Sequence, residues 1–274
     1  MSEQKLKLAV CQLATEPTRE TTLDKTARMI REAAENGAEI AVLPEMFCCP
    51  YSRRGFREFA ARGHEDVVQT LSALAKENQI LLVGGSLPEA EGDALYNTCF
   101  VFDREGRQIA RHRKVHLFDI DVPGMRFRES DSFRPGKEIT VFDTPWGKMG
   151  TAICFDVRFP ELFRAMALRG ARVVFLPAQF NRTTGPAHWE MTLRSRAVDN
   201  EYFVVGASAA PSEKLSYPCW GHSAVYDPWG DALAACGDEE TILYAELDLA
   251  RVDQVRQQLP TVLHLRRDVY QVSE

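Results

Sequence analysis

The sequence predicts an α/β protein whose two sheets pack face to face between outer helices, a four-layer αββα sandwich built from two similar halves. Three observations lead there. Apolar runs of strand length alternate with amphipathic segments of helix length. The same order of signals is met a second time from Lys148 onward. A chain of 274 residues with 45% hydrophobic content is long enough for both halves, each of which must bury one sheet face against its twin.

In the first half, Leu6 to Cys11 reads as a buried strand. Thr22 to Asn36 reads as a helix with Leu23, Ala27, Ile30, Ala33 and Ala34 on its apolar face and Gly37 as its stop. Ile40-Ala41-Val42-Leu43-Pro44 is a short strand ending at Glu45, followed by a loop rich in Cys, Pro, Tyr and Arg. A helix from about Val67 to Asn78 leads into the strand Ile80 to Val83 and then Gly84-Gly85. Thr98 to Phe102 and Gln108 to Ala110 form a hairpin around Asp103-Arg104-Glu105-Gly106.

The second half echoes these stations. Ala9-Val10-Cys11 is answered by Ala152-Ile153-Cys154, and Ala38 to Pro44 by Ala171 to Pro177. Asn78 to Ser86 is answered by Asn200 to Ser208, and Val101-Phe102-Asp103 by Val225-Tyr226-Asp227. The halves thus run from about Leu6 to His116 and from about Lys148 to Leu249. From about residue 250 a helix and an extended end form a tail too short for a domain, so residues 1–274 are expected to be one domain.

A net charge of -6, with only the short basic runs Arg53-Arg54 and Arg111 to Lys114, argues against a nucleic-acid surface and for small-molecule chemistry. Seven cysteines, an odd number without metal-ligand spacing, fit reduced thiols in a cytosol. No apolar run approaches membrane-spanning length, and a cytoplasmic protein is expected.

A residue needed only for the fold should recur in both halves, so differences mark function. Glu45 follows Leu43-Pro44, whereas Ala178 follows Leu176-Pro177; Lys114 is matched by Asp238. Cys154 is matched by Cys11, and the repeat alone does not choose between the thiols. Their surroundings differ. Cys154 precedes Phe155-Asp156-Val157-Arg158-Phe159-Pro160-Glu161, where Pro160 and Glu161 suit the first turn of a helix, and a cysteine beside such an end is expected to gain thiolate character. The alternative is a small buried hydrophobe. A thiol that attacks a carbonyl needs a base and an oxyanion donor. None of the six histidines has an obvious claim as base. Glu45 is a candidate, its acidity weakened by a partly dry cleft, against the alternative of an exposed loop carboxylate. Lys114 is either drawn inward by Val115 and Leu117-Phe118 or part of a solvated basic face.

Glu45 in Leu43-Pro44-Glu45, Lys114 in His112-Arg113-Lys114-Val115-His116-Leu117 and Cys154 in Ile153-Cys154-Phe155-Asp156-Val157-Arg158 together resemble the Glu-Lys-Cys triad of the nitrilase superfamily of carbon–nitrogen hydrolases. Within it, His116 to Gly124, Phe180 to Glu190 and Arg194 to Asn200 resemble the ω-amidase branch. That resemblance implies a thiol amidohydrolase for the terminal amide of 2-oxoglutaramate and 2-oxosuccinamate, working through a thioester without metal or organic cofactor. It also implies Cys154 as nucleophile, Glu45 as base, Lys114 and the Phe155 N–H as oxyanion donors, and Glu129 as a second glutamate that orients Lys114 or the substrate. Tyr51, Arg158, Asn181, Thr183 and Thr184 are candidate substrate contacts. Arg158 has the alternative of an ion pair with Asp156, Asn181 and Thr183 that of turn chemistry. His188 and Trp189 are expected to fix a buried turn, and Cys48, Cys49, Cys99, Cys219 and Cys236 to be structural. Ser52-Arg53-Arg54 departs from the branch pattern, which leaves room for another small carboxylated amide such as deaminated glutathione. A non-enzymatic protein retaining the fold is the competing class. A homodimer or larger even-numbered assembly is implied by resemblance alone.

Overall fold

A computed structural model describes residues 5–215 and 217–271. The chain begins with β1 (Lys5–Gln12), α1 (Arg19–Glu35), β2 (Ile40–Val42), α2 (Arg53–Arg62) and α3 (Glu65–Glu77). It continues through β3 (Leu81–Val83), β4 (Leu87–Glu91), β5 (Ala94–Phe102) and β6 (Gln108–Arg113). A small hairpin, β7 (Asp119–Val122) and β8 (Met125–Arg128), ends in a 3₁₀ turn at Glu129–Asp131. Next come β9 (Val141–Thr144), β10 (Gly147–Thr151), a 3₁₀ turn at Cys154–Arg158, and α4 (Pro160–Leu168). The remainder is β11 (Val173–Ala178), α5 (Gly185–Asn200), β12 (Phe203–Ser208), β13 (Ala224–Tyr226), β14 (Ala232–Ala235), β15 (Thr241–Asp248) and α6 (Ala250–Gln258).

One sheet has the order β15-β1-β2-β3-β5, with β4 and β6 both on β5; the other runs β14-β13-β12-β11-β10-β9. Strand alternation produces the layers. Leu6, Leu8, Val10, Ile40 and Val42 share one core with Val173, Phe175, Phe203 and Val205 of the opposite sheet, whereas Ala9, Cys11, Ala41 and Leu43 turn outward onto Ile30 and Ala33 of α1 and Leu71 and Leu74 of α3. The second sheet is covered outside by Phe163 and Met166 of α4 and Leu193 and Ala197 of α5. The four-layer αββα sandwich read from the repeat is the fold observed.

The register corrects the repeat at one station. Leu8 lies opposite Ile40 as Met149 lies opposite Val173, so Cys11, three residues beyond Leu8, corresponds to Ala152, three beyond Met149. Cys154 therefore has no thiol counterpart. Cys11 sits on the helix-facing side of its sheet, where burial pushes its thiol up to about 12.

The boundaries of the second half also shift. β15 leaves its own half and pairs antiparallel with β1 over the full run from Lys5 opposite Asp248 to Gln12 opposite Thr241. β9, upstream of Lys148, pairs with β10 in the second sheet. Several elements lay beyond the sequence reading, among them α2, β4, the β7-β8 hairpin, β9 and β15. The segment read as a loop contains α2, capped by Ser52 Oγ, which accepts from Gly55 N at 3.0 Å. Its polar composition hid it, since only Gly55, Phe56 and Phe59 are buried. α1 begins at Arg19, ahead of the expected Thr22, because Thr18 caps it; its buried face uses Thr22 and Thr26, whose hydroxyls donate to carbonyls one turn back. No helix among the described residues is long and apolar enough to cross a membrane.

Candidate active site

Four buried side chains converge from four places in the fold. Glu45 occupies the turn after β2, where Met46 N donates to Ser86 Oγ at 3.1 Å. Gly85, at φ +62, lies against this turn; a Cβ there would stand 2.2 Å from Pro44 O, so only glycine permits the contact. Lys114 follows β6, with its N–H donated to Asn97 O and its carbonyl accepting from Gly136 N, both at 2.8 Å. Glu129 opens the turn after β8, and Cys154 opens the turn after β10 with φ +45, a left-handed conformation rare outside glycine.

Lys114 Nζ lies 2.8 Å from both Glu45 Oε1 and Glu129 Oε2, and all three side chains are fully buried. Asn97 Nδ2 donates to Glu45 Oε1 at 2.8 Å and to Glu129 Oε1 at 2.9 Å, and Phe118 N donates to Glu129 Oε2 at 2.6 Å. Glu45 Oε2 is buried without a hydrogen-bond partner. Burial raises the Glu45 pKa above the ordinary carboxylate value; Lys114 opposes this and Glu129 adds to it. For Lys114, burial pulls downward, but Glu129 and Glu45 outweigh it and hold the ammonium well above its usual value.

The thiolate expected at Cys154 is not what the structure provides. Burial, followed by the Glu45 charge, pushes the thiol well above its usual pKa, against the pull of Lys114. The physical reason is position: Cys154 starts a separate short 3₁₀ turn, and Pro160 starts α4 six residues later, too far for its dipole to act on the sulfur. What fixes this turn is Asp156. Its carboxylate accepts from Ile153 N at 3.0 Å, His116 N at 2.8 Å, His116 Nδ1 at 2.8 Å and His112 Nε2 at 3.3 Å. Burial works against its charge, yet the bonds from His112 and His116 hold it well below the usual carboxylate range. The His116 ring in turn stacks on Phe159 at 3.5 Å.

Cys154 opens onto a narrow cavity lined by Phe118, Phe155, Arg158, Gln179, Phe180, Asn181, Thr184 and Tyr217. Arg158 is half-buried there, 3.2 Å from His188 Nδ1 and facing the rings of Phe155 and Phe180. It forms no ion pair with Asp156, whose oxygens are occupied by histidines and backbone N–H groups. Asn181 lines the cavity and caps its own loop, accepting from Thr183 N and Thr184 N at 2.9 Å. Thr183 itself is exposed, and its neighbour Thr184 lines the cavity instead. Tyr51 lies one ring behind, packed on Tyr217 with centroids 4.6 Å apart. His188 and Trp189 lie within α5 rather than in a turn: Trp189 is buried and donates Nε1–H to His222 O, while His188 is half-buried beside Arg158. Sequence reasoning missed Asn97 and the bracing role of Asp156. A carboxamide between Tyr96 and Thr98 in a strand buried at its centre was the signal for the first.

A two-sheet sandwich with a sulfur on the wall of a cavity and a buried ammonium between two carboxylates behind it fits an amide-hydrolysing class of enzyme. The family described as Carbon-nitrogen hydrolase matches residues 7–257, and the chain belongs to that family, within the nitrilase superfamily. It is 46% identical over 268 residues to the Homo sapiens "Omega-amidase NIT2", covering 97% of each chain. Among solved structures it resembles Saccharomyces cerevisiae Nit3, a member of branch 10 of the nitrilase superfamily, with a TM-score of 0.88, 40% identity, and 96% of this chain and 97% of that chain covered. It is also similar to an amidase mutant from Nesterenkonia sp. that carries the acetamide moiety of fluoroacetamide covalently on its active-site cysteine. There the TM-score is 0.81, with 26% identity and coverage of 96% and 95% of the two chains.

Proposed function

We propose that this chain is a thiol amidohydrolase that converts 2-oxo acid ω-amides, 2-oxoglutaramate and 2-oxosuccinamate, to the 2-oxo diacid and ammonia. The observation that carries the reading is the buried Glu45-Lys114-Glu129 cluster beside Cys154, whose thiol lines a cavity where the cation Arg158 has no carboxylate partner among the described residues. An apolar cavity with one such guanidinium suits a small amide ending in a carboxylate. The name of the Homo sapiens relative supports the same substrate class, and the Nesterenkonia adduct supports a cysteine nucleophile.

Glu45 Oε2 takes the Cys154 proton as Sγ attacks the amide carbon. An ammonium has three hydrogens, of which Lys114 spends two on Glu45 and Glu129; the third meets the oxyanion together with the Phe155 N–H. Glu129 orients Lys114. The protonated Glu45 returns its proton to nitrogen as the C–N bond breaks, releasing ammonia and leaving the thioester. Water, giving a proton to Glu45, then attacks the thioester carbon; the C–S bond breaks, the diacid leaves, and the proton returns to sulfur. Arg158 receives the far carboxylate, with Asn181 and Tyr51 behind it. We infer a single catalytic domain, working in the cytoplasm without a cofactor and as a homodimer or larger even-numbered assembly.

Ammonia release from 2-oxoglutaramate and from deaminated glutathione, measured side by side, tests the reading. The expected result is preferential turnover of 2-oxoglutaramate and none by Cys154→Ala. Full turnover by that variant, or preference for the glutathione derivative, overturns the nucleophile or the substrate respectively.

A further inference from the structure

Asn97 stands mid-strand in β5, fully buried, and touches every charged member of the cluster. Its Nδ2 spans Glu45 and Glu129, and its backbone carbonyl takes the Lys114 N–H. Its own Oδ1 is buried with no hydrogen-bond partner. A carboxamide whose acceptor is left unused is held for its two donors.

We propose that Asn97 is a positioning residue that sets the basicity of Glu45, by giving one hydrogen to each carboxylate and leaving Glu45 Oε2 as the oxygen that receives the thiol proton. This deepens the reading of Glu45 as base and rests on it. The cluster holds two carboxylates and one ammonium, so it carries one excess negative charge. Glu45 is faced by Lys114 from the end of β6, Glu129 from the turn after β8 and Cys154 from the turn after β10; Tyr51, Tyr217 and Cys219 stand nearby, and burial raises the pKa of each. Burial and Glu129 favour a protonated Glu45, which could accept nothing. Hydrogen bonds to the anion oppose that, and a neutral donor does so without the full charge of a second cation, which would make Glu45 too weak a base. An amide therefore suits the position better than Asp, which would add a third negative charge, or Arg, which would quench the base. The bond to Glu45 Oε1, together with that from Lys114 Nζ to the same oxygen, fixes which oxygen of Glu45 is free.

The test is Asn97→Leu, close in volume but without donors, with Asn97→Ser as a variant that retains one. Two pH profiles are measured: kcat/KM for 2-oxoglutaramate, and the rate at which chloroacetamide alkylates Cys154, followed by mass spectrometry. The expected result is an acid limb moved up by about one pH unit or more in Asn97→Leu, in both profiles, with KM changed less than about twofold. Asn97→Ser should shift in the same direction by less. An acid limb at the wild-type pH in whichever variant folds, with activity lowered equally at all pH values, overturns the proposal. Alkylation needs no substrate, so a wild-type enzyme that hydrolyses no ω-amide sinks the substrate reading while the Asn97 effect is still measured. A wild-type alkylation profile without an acid limb overturns Glu45 as base and this role with it.

Discussion

Replacing Lys114 by Met keeps the length of the side chain and removes the one positive charge between two buried carboxylates. Each contact is 2.8 Å long, which at an effective dielectric of about 20 corresponds to roughly 6 kcal/mol of attraction before desolvation. Desolvation offsets much of this, and breaking a buried pair from one side costs about 3–5 kcal/mol. The loss should depend on pH. Without the ammonium, one carboxylate holds a proton in the folded variant that it releases on unfolding, because its folded pKa is raised above the unfolded value near ~4.3. A raised carboxylate gives stability that is present below the unfolded pKa and lost as pH rises through the folded one. Because burial raises Glu45 in the wild type as well, the deficit shrinks by about 1.4 kcal/mol for each pH unit of acidification only between the folded pKa of the wild type and the higher one of the variant. Urea unfolding of both proteins at a series of pH values from acid to neutral reads it directly. The double variant Lys114→Met, Glu129→Gln should recover part of the loss. A deficit that is the same at every pH, or below about 1 kcal/mol at pH ~8, would refute the picture of one cation shared by two dry carboxylates.

Two further outcomes are expected. Arg158→Met should keep the packing against Phe155 and Phe180 but raise KM for 2-oxoglutaramate about tenfold or more, while leaving a neutral aliphatic amide unaffected; equal losses on both amides would remove Arg158 as the carboxylate receiver. Asp156→Asn should cost about 2 kcal/mol at neutral pH and slow alkylation of Cys154, since the turn loses a charged acceptor. Because the Asp156 pKa is depressed, its contribution is present above the ordinary value near ~3.9 and disappears as pH falls through the folded value, so acid should narrow the gap between the two proteins. A gap that widens in acid contradicts the assignment.

The fold was legible because its two halves repeat the same alternation, and the sheet each residue joins follows from which face must be dry. Glu45 and Lys114 stood out as positions where the halves differ. Asn97 and Asp156 were harder to see, because their partners lie far along the chain: Asn97 meets Glu45 and Glu129, which are 52 and 32 residues away, and Asp156 meets His112 and His116, which are 44 and 40 away. No local pattern reports such meetings. The protonation of Cys154 was misjudged for a related reason. Its sequence neighbours suggested a helix dipole, whereas burial and the carboxylate brought in from β2 decide the outcome. Arg158 was placed between two roles, and only the occupation of Asp156 by histidines separates them.

The pairing of β15 with β1 joins the first and last strands of the fold among the described residues. Until residues 241–248 leave the ribosome, β1 has β2 on one side and a bare row of amide and carbonyl groups on the other, with Leu6, Leu8 and Val10 awaiting cover. The strand that supports the Glu45 turn is thus finished last, and a nascent chain stalled before that point exposes an adhesive edge. Residues 241–248 must therefore have been made before the sheet that carries Glu45 is closed, so a chain stopped short of them lacks the finished site.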